Sequence, residues 1–158
     1  MKRAFVFDLN TFRFAATLKN EKGNDDPFSQ KLLVEIINKC NTIIIPKGYI
    51  NKYYSILSKL KYCEDSFDND IFGLWRNCWS TRGKLDIKDD ESPPLDEDGK
   101  YHDDDIDIVR LIADTNNRSV LVSTDNDLIK KLKELGMPRK YNFSILRPEQ
   151  AIDLVGDV

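Results

Sequence analysis

Residues 101–128, YHDDDIDIVRLIADTNNRSVLVSTDNDL, decide how the chain is read. Four carboxylates, Asp103, Asp104, Asp105 and Asp107, precede or open a helix-type segment over 105–117. A short apolar strand, SVLVST, follows at 119–124, and Asp125 and Asp127 stand at the start of a second helix-type segment over 126–136. Working outward, RAFVFDL (3–9) has the short apolar, β-rich run of a buried strand. NTIIIP (41–46) is another, without polar alternation, and FSILR (143–147) is the last. Helix patterns lie between them. In 26–40, Leu32, Leu33, Ile36 and Ile37 keep helical spacing behind Pro27; in 48–63, Ile50, Tyr53, Tyr54, Leu57 and Leu60 share one face. Strands bounded by helices predict an α/β fold, a single-domain three-layer sandwich around a central, mostly parallel sheet of four to five strands.

Residues 64–100 do not follow that alternation. Phe67, Ile71, Leu74, Trp75 and Cys78 recur at amphipathic helical spacing within 66–79, which predicts a helix used for core or lid packing, base stacking by its tryptophans being the rarer use. DIKDDESPPLDEDGK (86–100) reads as a mobile acidic loop. The expectation is one domain over 1–158 with an insertion at about 64–100.

At 158 residues and 41% hydrophobic, the chain suits one globular core. No apolar run approaches the ~20 residues that span a bilayer. Asp8 interrupts the apolar stretch of MKRAFVFDLN too early for a signal peptide. A soluble, cytoplasmic protein with no membrane partner is expected. Cys40, Cys63 and Cys78 form no CxxC pair and His102 is the only histidine, which speaks against a Cys/His zinc site and against Ser-His-Asp or Cys-His catalysis. Charge is unevenly placed. From Asp86 to Asp107 eleven acids face two lysines, a local net of −9, so a chain of net −3 carries +6 elsewhere. A mildly basic body with one acidic segment suits a metal-dependent enzyme acting on a polyanion; a solvated acidic loop is the plainer reading.

In an open parallel sheet, ligands bind beyond the carboxyl ends of the strands. Asp8 ends the first strand, Asp125 ends the strand at 119–124 with Asp127 two residues on, and Asp103, Asp104, Asp105 and Asp107 open the helix that feeds that strand. These acids are placed on one rim. Carboxylates brought together repel and raise each other's pKa unless a cation lies among them. A hard ion, Mg2+ or Mn2+, takes oxygen ligands and activates water for attack on a phosphodiester. Each acid also has a structural use. Asp125 could be only an N-cap, with Thr124 competing for the role, and Asp103–Asp107 could favour a helix N-terminus through its dipole. Capping does not account for Asp8, read as the end of a buried strand.

The residues resemble a known family. FVFDLNTF (5–12) looks like the first-strand motif of PIN-domain ribonucleases, with Asp8 as its acid and Asn10 as the polar residue two places on. DIDIVRLIA (105–113) followed by SVLVSTDNDL (119–128) resembles their later acidic helix and the strand ending in Ser/Thr-Asp; FSILRPEQAIDL (143–154) is similar to their closing strand and helix. The resemblance covers the chain except 64–100. It implies a PIN-like fold, related to NYN domains, and a Mg2+- or Mn2+-dependent nuclease cutting single-stranded or structured RNA. Asp8, one or two of Asp104, Asp105 and Asp107, and Asp125 would hold the metal, Asp127 would support them, and Asn10 and Thr124 would orient. A protein partner such as an antitoxin, or a homodimer, fits the same picture. One position departs from the pattern: where the family carries a glutamate in the helix after the second strand, IIPKGYINKYYSIL (44–57) places Lys52. Asn51 or an acid from the insertion then substitutes, or metal binding is weakened, or the domain binds without cutting. A phosphatase acting on a small ester is a third reading of the same acids.

Overall fold

The computed structural model describes residues 3–20, 22–39, 41–63, 73, 83–115 and 119–156. Short apolar runs become strands β1 Ala4–Phe7, β2 Thr42–Ile45, β3 Leu85–Ile87, β4 Ser119–Val122 and β5 Ser144–Leu146. They form one all-parallel sheet in the order β3-β2-β1-β4-β5, with Phe7 opposite Val122 and Ile45 opposite Ile87. Every residue of β2 and β4 is buried, which is why those runs show no polar alternation.

Among the described residues, seven α-helices of a turn or more flank the sheet: α1 Leu9–Thr17, α2 Phe28–Asn38, α3 Tyr49–Cys63, α4 Ile106–Asp114, α5 Asn126–Glu134, α6 Met137–Tyr141 and α7 Pro148–Gly156. α1 packs on α2 and α3, and α2 on α7, making one layer; α6 packs on α4 and α5, with α4 lying against β1 and β4, making the other. The predicted three-layer α/β sandwich is what the chain forms. Its core includes Phe5, Phe7, Phe12, Leu32, Ile36, Ile43, Ile45 and Ile108, each at most 2% exposed. Burial of each such side chain contributes about 1.5–3 kcal/mol. No helix among the described residues is long and apolar enough to cross a membrane.

Three features depart from the sequence reading. Helix α1 starts directly after β1 and buries Phe12, Ala15 and Ala16, where no helix is expected. Asp86 and Ile87, read as the start of a mobile acidic loop, belong to the edge strand β3, which gains its ladder from β2. The far end of that acidic stretch is anchored as well. Glu97 is buried and accepts from Lys140 Nζ at 2.5 Å and Tyr141 Oη at 2.7 Å. Asp98 accepts from Arg110 Nε and Nη2 at 2.9 and 2.6 Å and from Tyr101 Oη at 2.8 Å. These contacts tie the segment to α4 and α6. The helix expected over 66–79, with both tryptophans, lies outside the described residues apart from Gly73, which is helical.

The strand order makes one crevice special. β1 and β4 are neighbours, yet α1 leaves β1 for one helical layer while the chain after β4 enters the other. Their carboxyl ends therefore part, and the gap between diverging connections is where this architecture accommodates ligands.

Candidate functional site

Asp8 stands at the mouth of that crevice. Its backbone N–H donates to Val122 O at 3.2 Å, extending the β1–β4 ladder by one rung. Its own conformation is extended, so the next residues can turn into α1, and its Oδ1 accepts the Thr11 N–H at 2.7 Å. Asp8 is thus an N-cap as well as a strand end, and the expectation that capping leaves it unexplained is corrected by the presence of α1. Its second oxygen accepts from the hydroxyl of Ser123, the residue after β4. Asp8 is only 5% exposed. Burial pushes its carboxyl above the usual range, the Ser123 and Thr11 hydrogen bonds oppose that, and the charge of Asp125 adds to it.

Ser123 is fully buried and joins two acids. While its hydroxyl donates to Asp8, the same oxygen accepts the Asp125 N–H at 3.1 Å. Asp125 caps α5, its Oδ1 accepting from Asp127 N at 3.0 Å and Leu128 N at 3.1 Å. Of the two residues competing for that cap, Asp125 takes it; Thr124 is buried and gives its carbonyl to Arg147 Nη1 at 3.2 Å. Ser123→Ala removes the donor facing a buried carboxylate. The expected loss at neutral pH is about 1–3 kcal/mol in a urea unfolding curve. Because a less supported carboxylate takes up a proton more readily, the loss is expected to shrink in acid.

The third group of acids arrives from the start of α4 and the 3-10 turn Asp103–Asp105 that leads into it. A cleft of about 280 Å³ lies among these segments. Asp8 and Asn10 line it from the β1–α1 junction, Tyr49 and Lys52 from α3, Asp103, Asp104, Asp105 and Asp107 from the start of α4, and Asp125 from the start of α5. The electrostatics match the placement. Asp105 is pushed up to about 6, first by burial and then by the charges of Asp8 and Asp125. Tyr49 is pushed up to about 12 by burial and by the nearby carboxylate of Asp107, so it stays protonated at neutral pH. Beneath the cleft, Tyr53 donates to Phe7 O at 2.8 Å and meets Phe12 edge-on at 4.6 Å, fixing α3 against the end of β1.

Lys52 lines the cleft, with Nζ 4.0 Å from the centroid of the Tyr49 ring. Asp127 lies one step away, in an adjoining hollow that shares Asn10, Asp104, Asp105 and Asp125 with the cleft. Thr124 lines neither. The site residues read from the sequence are therefore brought together, Asp127 at the margin and Thr124 behind. Ser123, Tyr49 and Tyr53 escaped that reading. The signal for the tyrosines is their spacing, four apart on α3, which the sequence pattern alone assigns to a core face.

An all-oxygen donor set of this kind suits a hard divalent cation and no soft one. Among the described residues, however, no three His, Cys, Asp or Glu side chains stand in a group able to grip an ion as they are placed. Asp8 and Asp125 each turn one oxygen to the N–H groups of the helix they cap. A carboxylate has two oxygens and about four lone-pair sites, so capping and ligation are compatible, and closure on an ion requires the side chains to turn from where they stand.

Comparison with known proteins finds no family model that matches the chain, no curated protein and no solved structure.

Proposed function

We propose that this chain is a divalent-metal-dependent ribonuclease of the PIN-like kind, hydrolysing RNA phosphodiester bonds with Mg2+ or Mn2+ at the crevice between β1 and β4. One observation carries the reading: acids from three separate segments meet there, and Asp105 is pushed up to about 6 by burial and by Asp8 and Asp125. Gathering half-buried carboxylates around the buried Asp8 is unfavourable without a cation, and groups perturbed in this way concentrate at functional sites. Asp8, Asp105 and Asp125 would hold the ion, with Asp104 or Asp107 completing the set and Asp127 at its edge. The bound ion supplies charge neutralisation at the phosphoryl oxygens. The chain supplies the rest. Ser123 holds Asp8 and the Asp125 backbone at a set spacing, Asn10 offers an amide at the mouth, and Tyr49 lines the cleft with Asp107 as a protonated phenol.

Lys52 favours a second reading, a weakened or inactive PIN-like module that binds RNA or protein without cutting. Its ammonium lines the cleft at the position where the resemblance would put a carboxylate, and there it would compete with a cation for the same acids. Lys52→Glu separates the two. In an enzyme weakened by Lys52, the substitution is expected to tighten Mn2+ binding about tenfold, ~1.4 kcal/mol, and to raise cleavage of a labelled single-stranded RNA. In a binding module it weakens RNA binding by a similar factor and no cleavage emerges.

A further inference from the structure

We infer that the acid cluster is bracketed by two phosphate positions, Lys52 on the β2 side and Lys131 on the β4 side, so that its substrate continues past the attacked bond in both directions. The inference rests on the nucleic-acid reading above and sharpens it to an internal phosphodiester of a polymer.

The geometry comes from two hollows that share a wall. The 280 Å³ cleft and an adjoining hollow of about 430 Å³ have Asn10, Asp104, Asp105 and Asp125 in common. Lys52, from the helix after β2, lines only the first; Lys131, from the helix after β4, lines only the second. In the sheet order, β2 and β4 flank β1, so the two lysines fall on opposite sides of Asp8. Both side chains are exposed. A polyanion crossing a row of carboxylates is repelled except where cations stand, and an ammonium contacts phosphate as a point charge. A small phosphate monoester has one such group and would use one side; a strand has phosphates to place on both. Tyr101 and His102 line the Lys131 hollow and give it ring surfaces as well.

The test uses full-length Asp8→Asn protein, which retains both lysines, with a fluorescent 12-nucleotide RNA, millimolar Mg2+ and anisotropy across a salt series. Lys52→Gln and Lys131→Gln are each expected to weaken binding several-fold and to lower the slope of log affinity against log salt by about 0.7, and together by about 1.4. Lys130→Gln, one residue away on α5 and paired with Glu134, serves as the control and is expected to leave the slope unchanged. A nucleoside monophosphate at the same concentration is expected not to displace the RNA. The inference is overturned if Lys131→Gln leaves the slope unchanged, if Lys130→Gln lowers it equally, if the monophosphate competes, or if the RNA does not bind. Wild-type protein run beside these variants keeps the two claims apart. Normal slopes without cleavage count against the nuclease and leave the bracket standing; cleavage with lysine-independent slopes does the reverse.

Discussion

Asp8→Asn is expected to abolish metal-dependent RNA cleavage, by about 100-fold or more, while leaving the protein folded. The magnitude is that of removing one preorganised charge from a reaction centre. The fold survives because asparagine caps helices as well as aspartate, so the Thr11 N–H keeps its acceptor. The new amide faces Ser123, whose oxygen can accept where its hydroxyl donated before. Burial holds the Asp8 carboxyl above its ordinary range, so at neutral pH its charge weakens the metal-free fold, and the neutral amide is expected to raise the metal-free melting temperature. Asp8→Ala is the informative contrast. It also loses the cap, at about 1 kcal/mol, and is expected to melt lower than Asp8→Asn. Cleavage by pure Asp8→Asn at the wild-type rate would remove the catalytic role.

Saturating Mg2+ or Mn2+ has the next largest expected effect. Ion bound to the folded state alone stabilises it by about 2.7 kcal/mol at a hundred times its dissociation constant, a rise of roughly 5–10 °C for a domain of this size. The effect depends on pH with a definite sign. Asp105 titrates near 3.8 when unfolded and at about 6 when folded. Its contribution to the metal-free protein is therefore fully present below 3.8 and lost as pH rises through about 6. Ion binding runs the opposite way, because the proton and the cation compete for the same oxygens. The metal-induced rise in melting temperature is expected to be small at pH 5 and full by pH 7.5, read by paired thermal melts with and without 5 mM ion, a level of about a hundred dissociation constants for a constant of about 50 µM.

The sequence exposes the parts of this molecule whose causes are local. β1, β2 and β4 are legible because strands buried on both faces need unbroken apolar runs, and Asp8 and Asp125 because they follow those runs immediately. β3 is not legible: LDI is too short to carry a pattern and is a strand because β2 offers it a ladder. Helix α1 was hidden in a different way. Its buried Phe12, Ala15 and Ala16 keep helical spacing, but the helix begins with no loop after β1, so Asp8 read as an end rather than a cap. Among the acids, Glu97 and Asp98 look like solvated loop charges until Lys140, Tyr141 and Arg110 are brought to them from distant helices. The same holds for Ser123, whose bond to Asp8 joins residues 115 apart. The acids of the site and those of the scaffold have the same composition and differ only in what meets them.

The most direct test of the central claim is a calorimetric titration of Mn2+ into wild type and Asp8→Asn at pH 7.5. Convergence of the acids on one cation predicts saturable binding to wild type that is lost in Asp8→Asn, although that variant is at least as stable without metal. Equal binding to both proteins, or no saturable binding to either, would contradict a metal site at the end of β1.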